Sequence, residues 1–158
     1  MLEAILENNL DTINNLIKGG EIEGYTEDGE SPLMVAVRQE NKDVLQSLIK
    51  AKADVSYQKP STGENVLMIA IDTGFEAGIP IILKSAIPLE QKDLKGRTAL
   101  HYAAMKGNKK ICDTLLKAKA PIDEVDEDGN DALQLAMIEK QPGIHQTFAK
   151  YNVNWNSK

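Results

Sequence analysis

The chain has 158 residues, 42% of them hydrophobic and 27% charged, with a net charge of −6 and a pI near 5.0. That length can enclose a core, and the acidic balance argues against general nucleic-acid binding, which needs Lys and Arg to neutralise phosphates. Cys112 is the single cysteine, so an internal disulfide is excluded and the composition suits a reducing, cytoplasmic setting.

The N-terminus shows no basic segment followed by an apolar one; Met1 to Leu10 already carries Glu3 and Glu7. No run reaches the roughly 18 apolar residues of a membrane span. Residues 2–7 and then Leu10, Ile13, Leu16 and Ile17 read as two short amphipathic helices, stopped by Asn8-Asn9 and by Gly19-Gly20. This opening pair, residues 1–25, has the form of a capping repeat that lacks a leading turn.

The next unit, residues 26–58, begins with the turn Glu27-Asp28-Gly29-Glu30, and Ser31-Pro32 starts a helix. Leu33, Ala36 and Val37 face inward, and Val44, Leu45, Leu48 and Ile49 form a second helix. Residues 59–91 repeat the plan with one extra residue in the turn Lys59-Pro60-Ser61-Thr62-Gly63. Gly78, Pro80 and Pro88 predict a shortened second helix there, more easily opened than its neighbours. Residues 92–125 are the most regular: Thr98 caps, Gly107 stops, and Ile111, Cys112, Leu115 and Leu116 make the second helix. In residues 126–158, Asp131 caps, and Leu133, Leu135, Ala136 and Met137 are expected to pack. Pro142-Gly143 opens a last helix, and Val153 and Trp155 close the chain. Gln134, Glu139, Lys140 and Gln141 give this unit the polar character of a C-terminal cap.

The turn glycines Gly29, Gly63, Gly96 and Gly129 are spaced 34, 33 and 33 residues apart. Two residues after each stands Ser31, Asn65, Thr98 or Asp131, and each carries an oxygen able to accept from an unpaired helix N–H. Leu33, Leu67, Leu100 and Leu133 keep the same period, as do Ala36, Ala70, Ala103 and Ala136.

The stretch Asp93-Leu94-Lys95-Gly96-Arg97-Thr98-Ala99-Leu100-His101-Tyr102-Ala103-Ala104, with Gly107-Asn108 and Ile111, Leu115, Leu116 and Ala120, resembles the ankyrin repeat motif. Ala99 stands where that family usually has Pro, and Met34 where it usually has His. The resemblance extends over nearly the whole chain. It implies an all-α fold: a single-domain ankyrin solenoid of stacked helix-turn-helix units with β-turn fingers, in about four to five repeats. It also implies a non-catalytic module that binds a protein partner through finger tips and the concave face of the first helices, acting as inhibitor or scaffold. A secreted bacterial effector that mimics host ankyrin proteins is the alternative, and a nucleic-acid binder working through the basic third repeat is a further one.

Carried over by position, the partner-binding residues are Glu27, Asp28, Glu30, Arg38, Lys92, Leu94, Lys95, Arg97, Met105, Lys106, Glu127, Asp128, Asn130 and Ile138. The looser second unit adds Ser61, Thr62, Glu64, Asp72 and Thr73. Residues 92–119 carry eight Lys/Arg against two acids, a net +6 that leaves −12 elsewhere, so the third unit is expected to steer a partner with an acidic centre. Lys109, Lys110, Lys117 and Lys119 read as cations that solvate the back of a helix.

His101 reads as a structural brace, since a lone His needs an oriented partner and a pocket to act as a base. No His, Cys and carboxylate stand at metal-ligand spacing, and no Gly-rich phosphate loop follows a strand, so neither metal nor cofactor is expected. Cys112 reads as a small core hydrophobe. The expected form is a monomer with no membrane contact.

Overall fold

The computed structural model describes residues 1–151, so Val153 and Trp155 lie outside the described residues. These residues contain ten α-helices and no strand, only isolated bridges between Gln58 and Asn65 and between Val125 and Asp131. They form two compact units, residues 1–88 and residues 89–151 of the described chain.

Unit 1 holds α1 (Leu2–Leu6), α2 (Leu10–Lys18), α3 (Pro32–Arg38), α4 (Lys42–Lys50), α5 (Val66–Thr73) and α6 (Ile79–Leu83). Unit 2 holds α7 (Ala99–Met105), α8 (Lys109–Lys117), α9 (Ala132–Ile138) and α10 (Ile144–Ala149). Helices this short are marginal alone, so their stability comes from packing and from end caps. In unit 1, α3 packs on α4, α5 and α1; in unit 2, α7 packs on α8 and α9, and α10 packs on α8. The cores are the periodic apolar positions: Leu33, Leu45, Leu48, Leu67, Ile69 and Ile82 in unit 1, and Leu100, Ala103, Cys112, Leu115 and Phe148 in unit 2.

The caps follow the periodic frame. Ser31, Asn65 and Asp131 accept from the backbone N–H of Met34, Met68 and Gln134, at 3.4, 3.0 and 2.8 Å. The second helices use asparagine instead: Asn9, Asn41 and Asn108 accept from Thr12, Val44 and Ile111 at 3.0–3.1 Å. The exceptions are α6, five residues long, and α10, which start at Gly78 and Gly143 with no side-chain cap. The shortened helix expected from Gly78 and Pro80 is present.

Each first helix is followed by a left-handed residue, and these fall in one register: Asn8, Glu40, Gly74, Gly107 and Lys140, with φ between 53° and 79°. A second register holds Gly20, Lys52, Ala86 and Lys119, with φ between 57° and 80°. The glycine stops were legible in the sequence; Glu40, Lys52, Ala86, Lys119 and Lys140 were not, because residue type disfavours the conformation. At Glu40, Lys52, Lys119 and Lys140 it accompanies backbone bonds that close the helix end, as from Glu40 and Asn41 N–H to the Val37 and Ala36 carbonyls.

One expected core residue is not in the core. Met137 is 70% exposed, because in unit 2 no described element covers the face of α9 on which it lies. His145, on α10, is exposed as well.

Candidate partner-binding surface

The turns between helix pairs are hydrogen-bonded fingers. In three of them the glycine N–H bonds three residues back: Gly29 to Thr26, Gly96 to Asp93 and Gly129 to Asp126, at 2.9–3.0 Å. In the second finger the extra residue widens the turn, and Gly63 bonds the Lys59 carbonyl at 2.7 Å. The Asp93 carboxylate collects the backbone N–H groups of Lys95 and Arg97 and the Tyr102 hydroxyl, at 2.9, 2.8 and 2.7 Å. Asp126 does the same for Asp128 and Asn130, at 3.0 and 2.8 Å. In the first finger Thr26 takes that place and accepts from Glu30 at 2.9 Å.

Within unit 1 the fingers 26–30 and 59–64 are joined by side chains. Glu30 binds Arg38 at 2.6 Å and Lys59 at 3.3 Å, and its side chain is only 13% exposed. The Tyr57 hydroxyl donates to the Gly29 carbonyl at 2.8 Å, and the Tyr57 ring leans on Tyr25 with centroids 4.7 Å apart. Burial, and secondarily the neighbouring Tyr25, raises the Tyr57 phenol above its ordinary pKa. Of the positions carried over here, Glu27, Asp28 and Arg38 are exposed, whereas Glu30 mainly braces the turn.

Within unit 2 the fingers 93–97 and 126–130 are joined by backbone. Glu127 N–H donates to the Lys95 carbonyl at 3.0 Å, and a Cβ on Gly96 would come within 3.0–3.1 Å of the Asp126–Glu127 backbone. Only glycine, at φ +75°, allows that approach. Lys92 bridges Glu124 at 2.7 Å and the Val125 carbonyl at 3.0 Å. Arg97 faces Asp126, whose side chain is 1% exposed, at 3.8 Å; its own Nε is buried without a hydrogen-bond partner.

His101 completes the brace. Its Nδ1 accepts from the Thr98 backbone N–H at 3.1 Å, and the Thr98 hydroxyl lies 2.9 Å from the same nitrogen. A backbone N–H can only donate, so Nδ1 is unprotonated and the ring's proton sits on Nε2, which donates to the Asn130 carbonyl at 3.3 Å. Burial lowers the His101 pKa below its ordinary value, outweighing the Asn130 carbonyl, so the ring is neutral at pH 7. In the fourth repeat Gln134 does the equivalent local work, accepting from Asp131 N–H at 2.8 Å. In unit 1 the same register holds Met34 and Met68, both fully buried in packing.

The charge layout therefore differs from the expected open basic patch. Lys92 and Arg97 face acidic partners inside the repeat pair, and Asn130 is held by its backbone to Asp126 and His101. The third and fourth repeats instead expose Leu94 at 60% and Ile138 at 59%, beside exposed Lys95, Lys106, Glu127, Asp128 and Glu139, with Met105 part-buried. Leu6, 62% exposed, holds in unit 1 the register that Met105 and Ile138 hold in unit 2. The sequence reading passed over it because the first helix pair lacks a leading turn to set its frame.

Burial pushes the Cys112 thiol up to about 12, which makes it inert as a nucleophile. Among the described residues no group of His, Cys, Asp and Glu could hold a metal ion, and no helix is long and apolar enough to cross a membrane.

A family model described as ankyrin repeats (3 copies) matches the chain twice, over residues 1–93 and 77–158. The chain belongs to the ankyrin repeat family, with its all-α fold. Ankyrin repeats generally mediate protein–protein interaction and are generally non-enzymatic.

Proposed function

We propose that this protein is a non-catalytic binding module that engages one protein partner through its finger tips and the exposed ends of its first helices, inhibiting or scaffolding that partner by occupancy. The observation that carries the reading is the third and fourth fingers. Backbone and side-chain bonds hold them rigid while Leu94 and Ile138 stay exposed among charges of both signs. Preorganised apolar residues ringed by polar ones are what an interface centre requires, since ordering costs are met before binding. The charges at its rim contribute register and on-rate more than affinity. The cytoplasm fits the buried, unreactive Cys112.

The test is affinity capture from source-cell lysate, with the wild-type chain beside the double variant Leu94→Asp/Lys95→Glu. Both side chains are exposed, so the variant should keep the wild-type circular dichroism and melting curve. A protein retained by the wild type and lost by the variant supports the reading. The same protein retained equally by both overturns the assignment to these fingers.

A further inference from the structure

Unit 1 closes the base of its finger pair differently from unit 2, and a cavity lies there. In unit 2, Lys92, just before Asp93, and Glu124, two before Asp126, bridge at 2.7 Å. Tyr25 and Tyr57 hold the same positions before Thr26 and Lys59 in unit 1, and their rings meet at 4.7 Å, tilted by 31°. Both tyrosines line a cavity of about 130 Å³, with Ile22, Pro32 and Leu33 as its apolar wall and the exposed Glu23, Lys52 and Asp54 around it.

The cavity has the parts of an interaction hot spot. Tyr57 is fixed by its bond to the Gly29 carbonyl and braces Tyr25, which is still 56% exposed. A braced, exposed tyrosine offers its ring to a partner at little ordering cost. Among the described residues Glu23 and Lys52 make no ion pair. Asp54 uses only Oδ1, which accepts from the Ser56 N–H and hydroxyl at 2.9 and 2.6 Å. Pro88 and Pro121 stand where Asp54 does in the later linkers, so this carboxylate marks the first.

The lining carries two carboxylates against one ammonium, in a unit with fourteen Asp/Glu and seven Lys/Arg. That balance favours a cation. A guanidinium suits it best, because its planar, weakly hydrated face stacks on an aromatic ring while its edge donates to carboxylates. The volume admits the end of one side chain and not a helix.

We infer that this cavity is a second docking site, which takes an arginine side chain of a partner protein. It uses no residue of the fingers 93–97 and 126–130.

The probe is a blocked pentapeptide with Arg at its centre and Gly and Ser around it, beside counterparts with citrulline or Lys at the centre. Citrulline keeps the shape of arginine and loses its charge. Titrated into the isotope-labelled full chain and followed by NMR, the Arg peptide should shift the amide signals of Gly24, Tyr25, Ala53 and Asp54 saturably. It should bind at least about tenfold more tightly than the citrulline peptide. Tyr25→Leu should weaken it at least about fivefold and Glu23→Gln about threefold, both at exposed positions that leave the fold intact. Lys52→Gln removes the opposing charge and should tighten binding. Leu94→Asp/Lys95→Glu should leave it unchanged, so a failure here is separate from a failure of the finger assignment. Equal binding of the Arg and citrulline peptides, tighter binding of the Lys peptide, or no saturable shift overturns the inference. So does indifference to Tyr25→Leu or Glu23→Gln, or weaker binding by Lys52→Gln.

Discussion

The two finger pairs are built from the same turn but held together differently. In unit 1, fingers 26–30 and 59–64 meet through side chains: Tyr57 on Gly29, and Glu30 between Arg38 and Lys59. In unit 2, fingers 93–97 and 126–130 meet backbone to backbone at Lys95 and Glu127, with His101 spanning from Thr98 to Asn130. Side-chain links tolerate adjustment, whereas backbone contact fixes the spacing. The rigid pair is also the one that exposes Leu94, and its first finger belongs to the most regular repeat, residues 92–125.

The largest effect should come from the point where backbone meets backbone. Gly96→Ala puts a Cβ about 3.0 Å from the Glu127 nitrogen and at φ +75°, while the same change at Gly129 meets only open space at φ +79°. Left-handed strain alone costs about 1–2 kcal/mol, so urea unfolding should show a loss of about 3 kcal/mol for Gly96→Ala and about 1 kcal/mol for Gly129→Ala. Equal losses would mean the fingers are not clamped.

The second effect is pH-dependent. The folded-state pKa of His101 lies below its unfolded value of about 6.5. The folded state therefore binds fewer protons, and stability is full above that pH and falls as pH drops toward the folded pKa. The loss should approach about 1.4 kcal/mol per pH unit in that window. His101→Gln keeps a side-chain acceptor for Thr98 N–H, as Gln134 does for Asp131, and should flatten this part of the profile. A profile unchanged by the substitution would remove His101 from the brace.

A smaller contrast lies between two second helices, α6 in unit 1 and α8 in unit 2. The nine-residue α8 is capped by Asn108, and the five-residue α6 has no side-chain cap. Such a cap contributes about 1 kcal/mol. In native-state hydrogen exchange, amides of Ile81, Ile82 and Leu83 should exchange at least about tenfold faster than those of Cys112, Leu115 and Leu116. Equal protection would remove the weakness read from Gly78 and Pro80.

Most of the fold was legible because the repeat places the same physical devices at fixed intervals. Four turn glycines, four first-helix cap positions and a row of leucines agree on one frame, and the structure follows it. Less was legible at the surface. Sequence spacing puts Lys92 and Arg97 on the binding face but cannot show that Glu124 and Asp126 face them across the next turn. Nor can it tell that Met137, spaced like a core residue, has no neighbour to cover it among the described elements. Pairing between repeats depends on side-chain reach, which the period does not encode.

The most direct measurement is the affinity of the captured partner for the wild-type chain and for Leu94→Asp/Lys95→Glu, determined side by side at one salt concentration. If the clamped fingers form the centre of the interface, the variant binds at least about tenfold more weakly, a loss of about 1.4 kcal/mol or more, with its fold unchanged. Equal affinities would contradict the account and move the interface to another face of the molecule.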